Sequence, residues 1–320
     1  MPSNAVRRFT DPVEYFTGIR NLQIAGLIQR RGEFRAKSTR IDLHRLWMHR
    51  FDEALPRIMK VTPSGTRAVI IFATQADQPA MQVDGIEISQ NKIMTFGLGW
   101  EWYHRTSAAC KWSTMSLAPR DLAAVGESII GHELVPPSLA RSFAPQTEVL
   151  SRLQKLHAAA CNLAETVPDI LAKPEVARAI EQALLESMVF CLTGSPSHDV
   201  RNIHFNRARV MRRLEEVLTA NPEKPLYMAE LSAQVGASYW TLRDCCLEYL
   251  GMSPKRYLWL RRMHLARRAL RSADTERKTV TDIASDYGFW EFGRFSVDYR
   301  SLFGESPSTA LRRTTGSPKT

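Results

Sequence analysis

Long hydrophobic runs are absent from this sequence of 320 residues. No stretch of about 18 consecutive apolar residues occurs, so the sequence predicts no membrane-spanning helix. The first residues, MPSNAVRRFTDPVEYF, have no apolar core of the kind that a secretory signal requires. We therefore expect a cytoplasmic protein that has no membrane partner.

Cysteine is scarce, and its spacing matches no ligand motif. The five cysteines include no Cys-x-x-Cys or Cys/His pair of the kind that holds zinc. The sequence thus predicts neither a disulfide framework nor a metal or other cofactor. The adjacent thiols of Cys245 and Cys246 raise the alternative of a redox or alkyl-accepting switch. Such a switch needs an activated thiolate, and burial is the better interpretation.

Basic residues are concentrated in the last third of the chain. The whole sequence has a net charge of +10, and residues 201–320 hold 21 Lys and Arg against 13 Asp and Glu. Residues 1–200 are nearly balanced, with 22 against 20. A basic excess confined to one region is typical of a surface that meets nucleic-acid phosphates, because neutralised phosphates release condensed counterions. A merely solvated basic face is the alternative.

The first 120 residues have the pattern of β-strands. Strand-like runs occur at 67–75, 81–89, 92–99 and 110–117. Asp84-Gly85 interrupts the second run, where a tight hairpin needs residues that tolerate positive φ. These runs predict an antiparallel sheet that forms a small barrel or sandwich.

Between about residues 147 and 193 the apolar spacing lengthens to that of helices. Apolar residues recur three and four positions apart on both sides of Pro174, which predicts two antiparallel helices after the sheet. The segment TGSPSHD at 193–199 has the composition of a linker, and the charge balance changes there. We therefore predict a domain boundary between residues 195 and 196.

The second domain is predicted to be all helical and contains an internal repeat. The segments LSAQVGASYWTLRDCCLEYLGMSP (231–254) and IASDYGFWEFGRFSVDYRSLFGESP (283–307) share a short helix, a glycine, a longer helix, a second glycine and Ser-Pro. A glycine suits the left-handed turn that follows a helix. This arrangement predicts two helix-turn-helix units, at about 226–254 and 279–307.

The spacing assigns opposite roles to the two faces of each longer helix. Residues at helical spacing that can pack inward are Leu242, Cys246, Leu250, Phe295, Tyr299 and either Leu302 or Phe303. The residues left facing outward are Tyr239, Trp240, Arg243, Asp244, Trp290, Glu291, Arg294, Val297 and Asp298. A recognition helix reads base edges in the major groove with such N-terminal residues, so these are the candidate DNA-binding side chains.

One continuous helix is predicted between the two units. Residues 255–273 are rich in Ala, Arg and Leu, which favour a long rigid helix. Such a connector holds two recognition helices at a fixed separation, and successive major grooves on one face of DNA lie about 34 Å apart. A solvated helix face is the alternative for several of its basic residues.

The segment GFWEFGRFSVDYRSLFGESPSTALRR, preceded by TVTDIASDYGF, resembles the C-terminal signature of the AraC/XylS family of bacterial transcription regulators. The resemblance covers about residues 201–313 and includes both helix-turn-helix units and their spacing. It implies a two-unit DNA-binding domain attached to an N-terminal domain that senses an effector or mediates dimerisation. Residues 1–200 resemble the family only in architecture, so no effector is implied.

The resemblance also implies base-contacting positions. They fall on Trp240, Arg243, Asp244, Phe292, Gly293 and Val297. The second unit departs from relatives that have polar residues there, because glycine and valine side chains form no hydrogen bonds to base edges. The second unit is therefore expected to rely on Glu291, Arg294 and phosphate contacts.

Aromatic residues of the N-terminal domain suggest an effector pocket. Small-molecule sites are concave and rich in aromatic side chains. The candidate lining residues are Trp100, Trp102, Tyr103 and Trp112. Ordinary sheet core is the alternative for these residues.

Histidines raise the question of a metal-dependent enzyme on a cupin-like barrel. The residues concerned are His44, His49, His104 and His132. No His-x-His pair with a downstream carboxylate occurs at ligand spacing, and isolated histidines are usually structural or exposed. We therefore predict no metal site and no catalytic residue.

These observations together predict an α+β protein. A β-rich, barrel- or sandwich-like domain with two helices at 1–195 senses an effector or dimerises, and an all-α domain at 196–320 binds DNA. The predicted function is that of a sequence-specific transcription regulator, an effector-responsive activator that is not an enzyme. Its expected partners are double-stranded promoter DNA, RNA polymerase, an unknown small-molecule effector and a second copy of the chain. The alternatives are a DNA-tethered enzyme with a cupin-like catalytic domain and a regulator whose N-terminal domain only dimerises.

Overall fold

The computed structural model of the chain divides into two compact units. The first unit comprises residues 1–26 and 33–201, and the second comprises 27–32 and 202–320. The structure describes residues 2–20, 22–75, 77–194, 197–199, 202–221, 226–273 and 278–312, with the backbone alone for 197–199 and 202–205. The predicted boundary between 195 and 196 lies outside the described residues and stays a prediction.

The first unit is built on two antiparallel sheets. Its strands are β1 Ser3–Phe9, β2 Leu22–Ile28, β3 Ala36–Asp42, β4 Trp47–Glu53, β5 Arg57–Pro63, β6 Ala68–Ala73, β7 Met81–Val83, β8 Ile86–Ile88, β9 Ile93–Phe96, β10 Trp102–Arg105, β11 Cys110–Leu117, β12 Ala140–Phe143 and β13 Ser197–Asp199. Within the described residues, one sheet has the order β1-β3-β4-β11-β6-β9-β12-β13 and the other β2-β5-β10-β7-β8. The predicted antiparallel β-rich domain is confirmed.

Helices cover one face of the larger sheet. The helices of this unit are α1 Pro12–Thr17, α2 Pro119–Ile130, α3 Thr147–Thr166, α4 Pro168–Leu171 and α5 Pro174–Thr193. A single core joins Ile70 and Met115 of the strands to Leu153 of α3 and Leu184 of α5. Because side chains alternate along a strand, the neighbours of these strand residues face the opposite side of the sheet. Helices α3 and α5 are the two that the sequence predicted.

The sequence predicted that the sheet ends near residue 120 and that a linker begins near 193. Helix α2 and strands β12 and β13 were not predicted. Strand β12 pairs with β9, and β13 pairs with β12 inside the predicted linker. Backbone hydrogen bonds make these pairings, and strands of three or four residues have too little alternation to be recognised. In α2, Gly126 weakens the helical pattern. A Cβ there would lie 2.7 Å from the backbone nitrogen of Leu134, so the close packing of the following loop requires glycine.

A buried ion pair lies between strands of the two sheets. Glu53 and Arg57, whose side chains are each 1% exposed, approach to 2.7 Å. The Glu53 carboxylate also accepts hydrogen bonds from the Tyr15 hydroxyl at 2.7 Å and from Trp112 Nε1 at 3.0 Å. The Arg57 guanidinium donates to the backbone oxygen of His104 at 3.1 Å. These partners offset the cost of removing both charges from water.

Asp84 and Gly85 form the predicted hairpin between β7 and β8. Both have positive φ, 50° and 78°, and the two strands pair on either side of them, which confirms the prediction. The Asp84 carboxylate accepts hydrogen bonds from Trp100 Nε1 at 3.0 Å and from the backbone nitrogen of Tyr103 at 2.8 Å. Burial raises the pKa of Asp84 to about 7, and the two hydrogen bonds limit this rise.

The second unit is helical throughout the part of 202–312 that the structure describes. Its helices are α6 Asn202–Ala220, α7 Met228–Val235, α8 Tyr239–Leu250, α9 Pro254–Ser272, α10 Val280–Asp286, α11 Phe292–Phe303 and α12 Pro307–Arg312. Helices α7 and α8 form the first helix-turn-helix unit, and α10 and α11 form the second. Helix α9 is the predicted long helix between them.

Helix α9 carries a polar anchor near each of its ends. Near its start, the Tyr257 hydroxyl donates to Glu215 Oε1 at 2.5 Å and Arg261 pairs with Glu215 Oε2 at 3.0 Å. Near its end, Arg267 pairs with Glu305 at 3.3 Å. Glu215 lies on α6 and Glu305 directly follows α11. One helix therefore bonds an acid from each half of the domain.

Replacing Asp84 by asparagine should change how stability depends on pH. Folded Asp84 keeps its proton up to about pH 7, whereas its ordinary pKa is 3.8. Between these two pKa values, the Asp84 carboxyl is protonated in the folded chain and ionised in the unfolded chain. The free energy of unfolding of the wild type therefore falls by about 1.4 kcal/mol per pH unit as pH rises through this range. We expect the stability of Asp84→Asn relative to wild type, measured by urea unfolding, to increase from about pH 5 to pH 7 and then level off. A difference that is constant with pH would contradict this.

Candidate DNA interface

The first helix-turn-helix unit is fixed by a buried contact and two caps. Leu231 and Val235 of α7 are fully buried. Gly236 ends α7 with a φ of 69°, a left-handed conformation that favours glycine. The Ser238 hydroxyl then accepts a hydrogen bond from the backbone nitrogen of Thr241 at 3.1 Å and caps α8. These residues set the direction in which α8 leaves the turn.

The inward face of α8 is the one that the sequence predicted. Leu242, Cys246 and Leu250 are fully buried, and Cys245 is buried beside them. Burial raises the pKa of both thiols, so neither is an activated thiolate. The interpretation of these cysteines as core residues agrees with their burial.

The outward face of α8 combines aromatic, cationic and anionic groups. Tyr239 and Trp240 are 44% and 67% exposed, with ring centroids 5.5 Å apart. The Arg243 guanidinium lies 5.8 Å from the Trp240 ring centroid and 3.4 Å from the Asp244 carboxylate. Arg243 is thus held at the helix surface by two neighbours while its donors remain accessible.

The second unit repeats this construction with different caps. The Thr279 hydroxyl accepts from the backbone nitrogen of Asp282 at 3.2 Å, and Asp282 accepts from the backbone nitrogen of Thr279 at 2.9 Å. On α11, Phe295, Tyr299 and Leu302 are buried. The sequence left open whether Leu302 or Phe303 packs inward, and the structure selects Leu302.

The outward face of α11 is more apolar than that of α8. Trp290 and Val297 are 70% and 69% exposed, and Phe292 is 39% exposed. Nothing lies within 4 Å of the position that a Cβ on Gly293 would take. Arg294 is exposed beside this surface, and its Nε lies 3.9 Å from the Asp298 carboxylate. Glu291 is also exposed, whereas Asp298 is half-buried, so four of the five predicted outward residues of the second unit face solvent.

Basic side chains of α9 adjoin the second unit and were not singled out from the sequence. The Arg262 guanidinium lies 5.2 Å from the Phe289 ring centroid and donates to the backbone oxygen of Gly288 at 3.3 Å. A cleft of about 240 Å³ between α9 and α11 is lined in part by Trp259, Arg262 and Arg294. Arg262 thus supports the turn before α11. In the sequence, the signal for this basic surface was the aromatic residue Trp259, which lies among the basic residues at the start of α9.

The four predicted effector residues do not share one surface. Trp102 is stacked on Phe96 with ring centroids 4.3 Å apart, and Trp112 is stacked on Phe51 at 4.2 Å. Trp100 donates to Asp84 at the hairpin. Tyr103 follows Trp102 directly in β10, so the two side chains point to opposite faces of the sheet. An effector pocket lined by these residues stays a prediction.

The four histidines considered as metal ligands are dispersed. His44 and His132 are exposed, whereas His104 is fully buried against the Trp112 ring. Burial and the Arg57 charge hold the pKa of His104 well below its ordinary value. In the described part of the chain, no group of three or more His, Cys, Asp or Glu residues is arranged to hold a metal ion.

No helix among the described residues is long and apolar enough to cross a membrane.

The C-terminal domain matches a known domain family. Residues 231–313 match the family described as "Helix-turn-helix domain". This range contains α8 and α11, the two helices with exposed N-terminal faces. The match, together with the relatives described next, confirms the resemblance of this region to AraC/XylS regulators.

Two curated relatives align with about a third of the chain. A probable thc operon regulatory protein of Rhodococcus erythropolis is 38% identical over 103 residues, which are 32% of this chain and 31% of the relative. The XylDLEGF operon transcriptional activator 1 of Pseudomonas putida is 38% identical over 105 residues, 33% of this chain and 30% of the relative. The chain thus spans about a third of the length of the curated relatives it matches.

A solved structure aligns with more of the chain. The AraC-like transcriptional activator CuxR aligns with 82% of this chain and 94% of its own, at 14% identity and a TM-score of 0.42.

Replacing Gly293 by alanine tests whether the second unit approaches its ligand closely. A Cβ at this position meets no other atom of the chain. Alanine should therefore raise the stability of the domain by up to about 1 kcal/mol, as expected at a helical position. If α11 approaches DNA at Gly293, the same change should weaken DNA binding on the order of tenfold, which corresponds to roughly 1.4 kcal/mol.

Both quantities should be measured on the full chain, by thermal melting and by DNA titration. Ser301→Ala, at an exposed position near the other end of α11, is the control and should leave DNA affinity unchanged. Unchanged DNA binding by Gly293→Ala would show that this face of α11 does not approach DNA.

Proposed function

We propose that this chain, whose residues 231–313 belong to the helix-turn-helix domain family, is a sequence-specific DNA-binding transcription regulator. The observation that carries the proposal is that α8 and α11 expose their N-terminal faces while Glu215 of α6 and Glu305 after α11 bond to the same helix α9. A rigid pair of recognition helices is suited to successive major grooves on one face of DNA, about 34 Å apart.

Some of the exposed residues are suited to contacts with phosphates and others to contacts with bases. The basic excess of residues 201–320 supports sequence-independent attraction to the phosphate backbone. Arg243 supports base discrimination, because a guanidinium matches the paired acceptors of guanine. Asp244 beside it accepts hydrogen bonds and matches the amino group of cytosine. Exposed Trp240 adds an apolar surface next to both.

The first unit is proposed to sense an effector or to dimerise. The two-sheet architecture is compatible with either role, and a ligand that binds one state of the chain preferentially would shift the population of DNA-competent molecules. We further propose that the chain acts as an activator that contacts RNA polymerase and works in the cytoplasm. The Pseudomonas putida relative is named a transcriptional activator, which supports the sign of regulation.

A DNA-tethered enzyme is the competing function. The match to a helix-turn-helix domain and the relatives named as operon regulators point to regulation rather than catalysis. Turnover of a small molecule by the purified chain, with DNA binding that does not respond to that molecule, would favour the enzyme.

The first experiment is a fluorescence-anisotropy titration of the full chain. The DNA probes are fragments from upstream of its own gene and of adjacent genes, with scrambled sequences of equal length as controls, at two salt concentrations. A preference of roughly a thousandfold or more for one fragment is expected of a specific regulator. Equal and steeply salt-dependent binding to all fragments would show that the surface binds phosphates alone.

Replacing Arg243 by alanine should reduce specific binding more than nonspecific binding. Loss of one bidentate base contact costs about 1 to 3 kcal/mol on the preferred fragment, whereas scrambled DNA loses only a share of the charge attraction. Arg243→Lys is the matched control for charge, because lysine keeps the positive charge but lacks the planar guanidinium and its paired N–H donors. Equal losses on both DNAs would make Arg243 a phosphate contact.

Removing residues 1–195 should leave a folded fragment that binds DNA. Leu260, Met263, Phe295 and Tyr299 of the second unit are buried together, and Leu27, which the truncation removes, is only a partly buried residue packed against this core. Helical circular dichroism and a cooperative melting transition would test folding, and titration on the preferred fragment would test binding. An unfolded fragment would contradict the predicted boundary.

A further inference from the structure

An apolar stripe runs along the outward face of the second recognition helix. Gly293 and Val297 are four residues apart on α11 and so lie on one face of the helix, and Trp290 lies two residues before the helix begins. Trp290 and Val297 are each about 70% exposed, and Gly293 faces open space. Apart from the indole N–H of Trp290, this stripe has no side-chain hydrogen-bonding group.

The stripe is not part of the packing of the second unit. The opposite face of α11 packs into the core of that unit through Phe295, Tyr299 and Leu302. Exposed large apolar side chains such as Trp290 and Val297 are unfavourable in water until a ligand covers them, and exposed apolar surfaces mark interaction sites. The stripe therefore points to a ligand with apolar features of its own.

One position of this stripe has a polar counterpart in the first recognition helix. The internal repeat aligns Asp244 with Val297 and Trp240 with Gly293 on the same helix-turn-helix scaffold. Asp244 has a side chain 58% exposed and accepts hydrogen bonds. Val297 occupies the same place on α11 and offers only methyl groups. The two helices thus present different chemistry to the two grooves.

The major groove of DNA has one prominent apolar feature, the C5-methyl group of thymine. A branched aliphatic side chain and an indole ring are suited to cover such methyl groups, and a glycine between them leaves room for the helix backbone to come close. Arg294, beside the stripe, remains available for a phosphate or a guanine. Methyl contact therefore accounts for the apolar residues without requiring hydrogen bonds from them.

We infer that α11 reads thymine methyl groups, with Val297 and Trp290 covering the methyls and Gly293 permitting close approach. This rests on the proposed function, since it specifies what one of the two recognition helices contacts. The preferred DNA then contains thymines at the end that α11 occupies, whereas the end that α8 occupies is read by hydrogen bonds from Arg243 and Asp244.

Uracil substitution tests the inference, because uracil keeps the hydrogen-bonding groups of thymine and lacks only the methyl. In the DNA fragment that the full chain prefers, each thymine is replaced singly by uracil, and the dissociation constant is measured by fluorescence anisotropy. One or two thymines at one end should be sensitive, each losing about fourfold in affinity, the value of one buried methyl-sized group. The remaining thymines should be insensitive.

Val297→Ala assigns the sensitive thymine to α11. If Val297 covers that methyl, the variant should bind thymine and uracil versions equally, so the two changes together cost no more than either alone. Leu247→Ala is the matched control, because Leu247 is an apolar residue of α8 that is 40% exposed. This control should keep the full sensitivity to uracil. Melting temperatures of both variants should match the wild type, since both side chains are exposed.

Each outcome decides the inference. Sensitivity to uracil that is lost in Val297→Ala and kept in Leu247→Ala supports methyl reading by α11. Uracil effects that are equal in wild type and Val297→Ala at every thymine overturn it, as does a fragment in which no uracil weakens binding. Normal DNA binding by Val297→Ala also overturns it and assigns the stripe to another partner. Failure of the proposed function is distinct, because no promoter fragment would then be preferred over scrambled DNA.

Discussion

Two carboxylates bonded to helix α9 tie both halves of the helical unit to one helix. Glu215 meets Tyr257 and Arg261 near the start of α9, and Glu305 meets Arg267 near its end. Burial and the Glu215 charge raise the pKa of the Tyr257 hydroxyl well above its ordinary value, so it remains a donor. A buried carboxylate that loses its partners costs several kcal/mol. Moving α6 away from α9 would leave the buried Glu215 carboxylate without these partners, so that cost holds the two helices together.

Local spacing was sufficient to predict the scaffold of the second unit. Leu242 and Tyr299 recur at helical intervals with their neighbours, and glycines and serines mark the helix ends, so burial and capping followed from the sequence. The bond from Glu215 to Tyr257 was not predicted, because it joins residues 42 positions apart and no local pattern signals it. Strand β13 was missed for a related reason, since its place in the sheet depends on backbone pairing rather than on its residues.

The candidate site was predictable only in outline. Outward residues such as Trp240 and Val297 were identified by elimination, since the inward positions of each helix were already assigned. Arg262 was missed, because its support of the turn at Gly288 comes from a helix distant in sequence. The aromatic residues of the first unit were grouped by proximity in sequence. Because side chains alternate along β10, Trp102 and Tyr103 point to opposite faces of the sheet, and this could have been predicted from their adjacent positions in a strand.

Under the proposed function, the difference between the two recognition helices gives the bound DNA a direction. Packing on α9 constrains the inward positions of α8 and α11, so these must stay apolar in both copies of the repeat. Outward positions carry no such constraint, which explains how Asp244 and Val297 came to differ at matched places. A symmetric dimer of identical helices reads a palindrome. Under the proposed function, two unlike helices on one chain would read an asymmetric sequence instead, so a single copy would be sufficient to set its orientation on DNA.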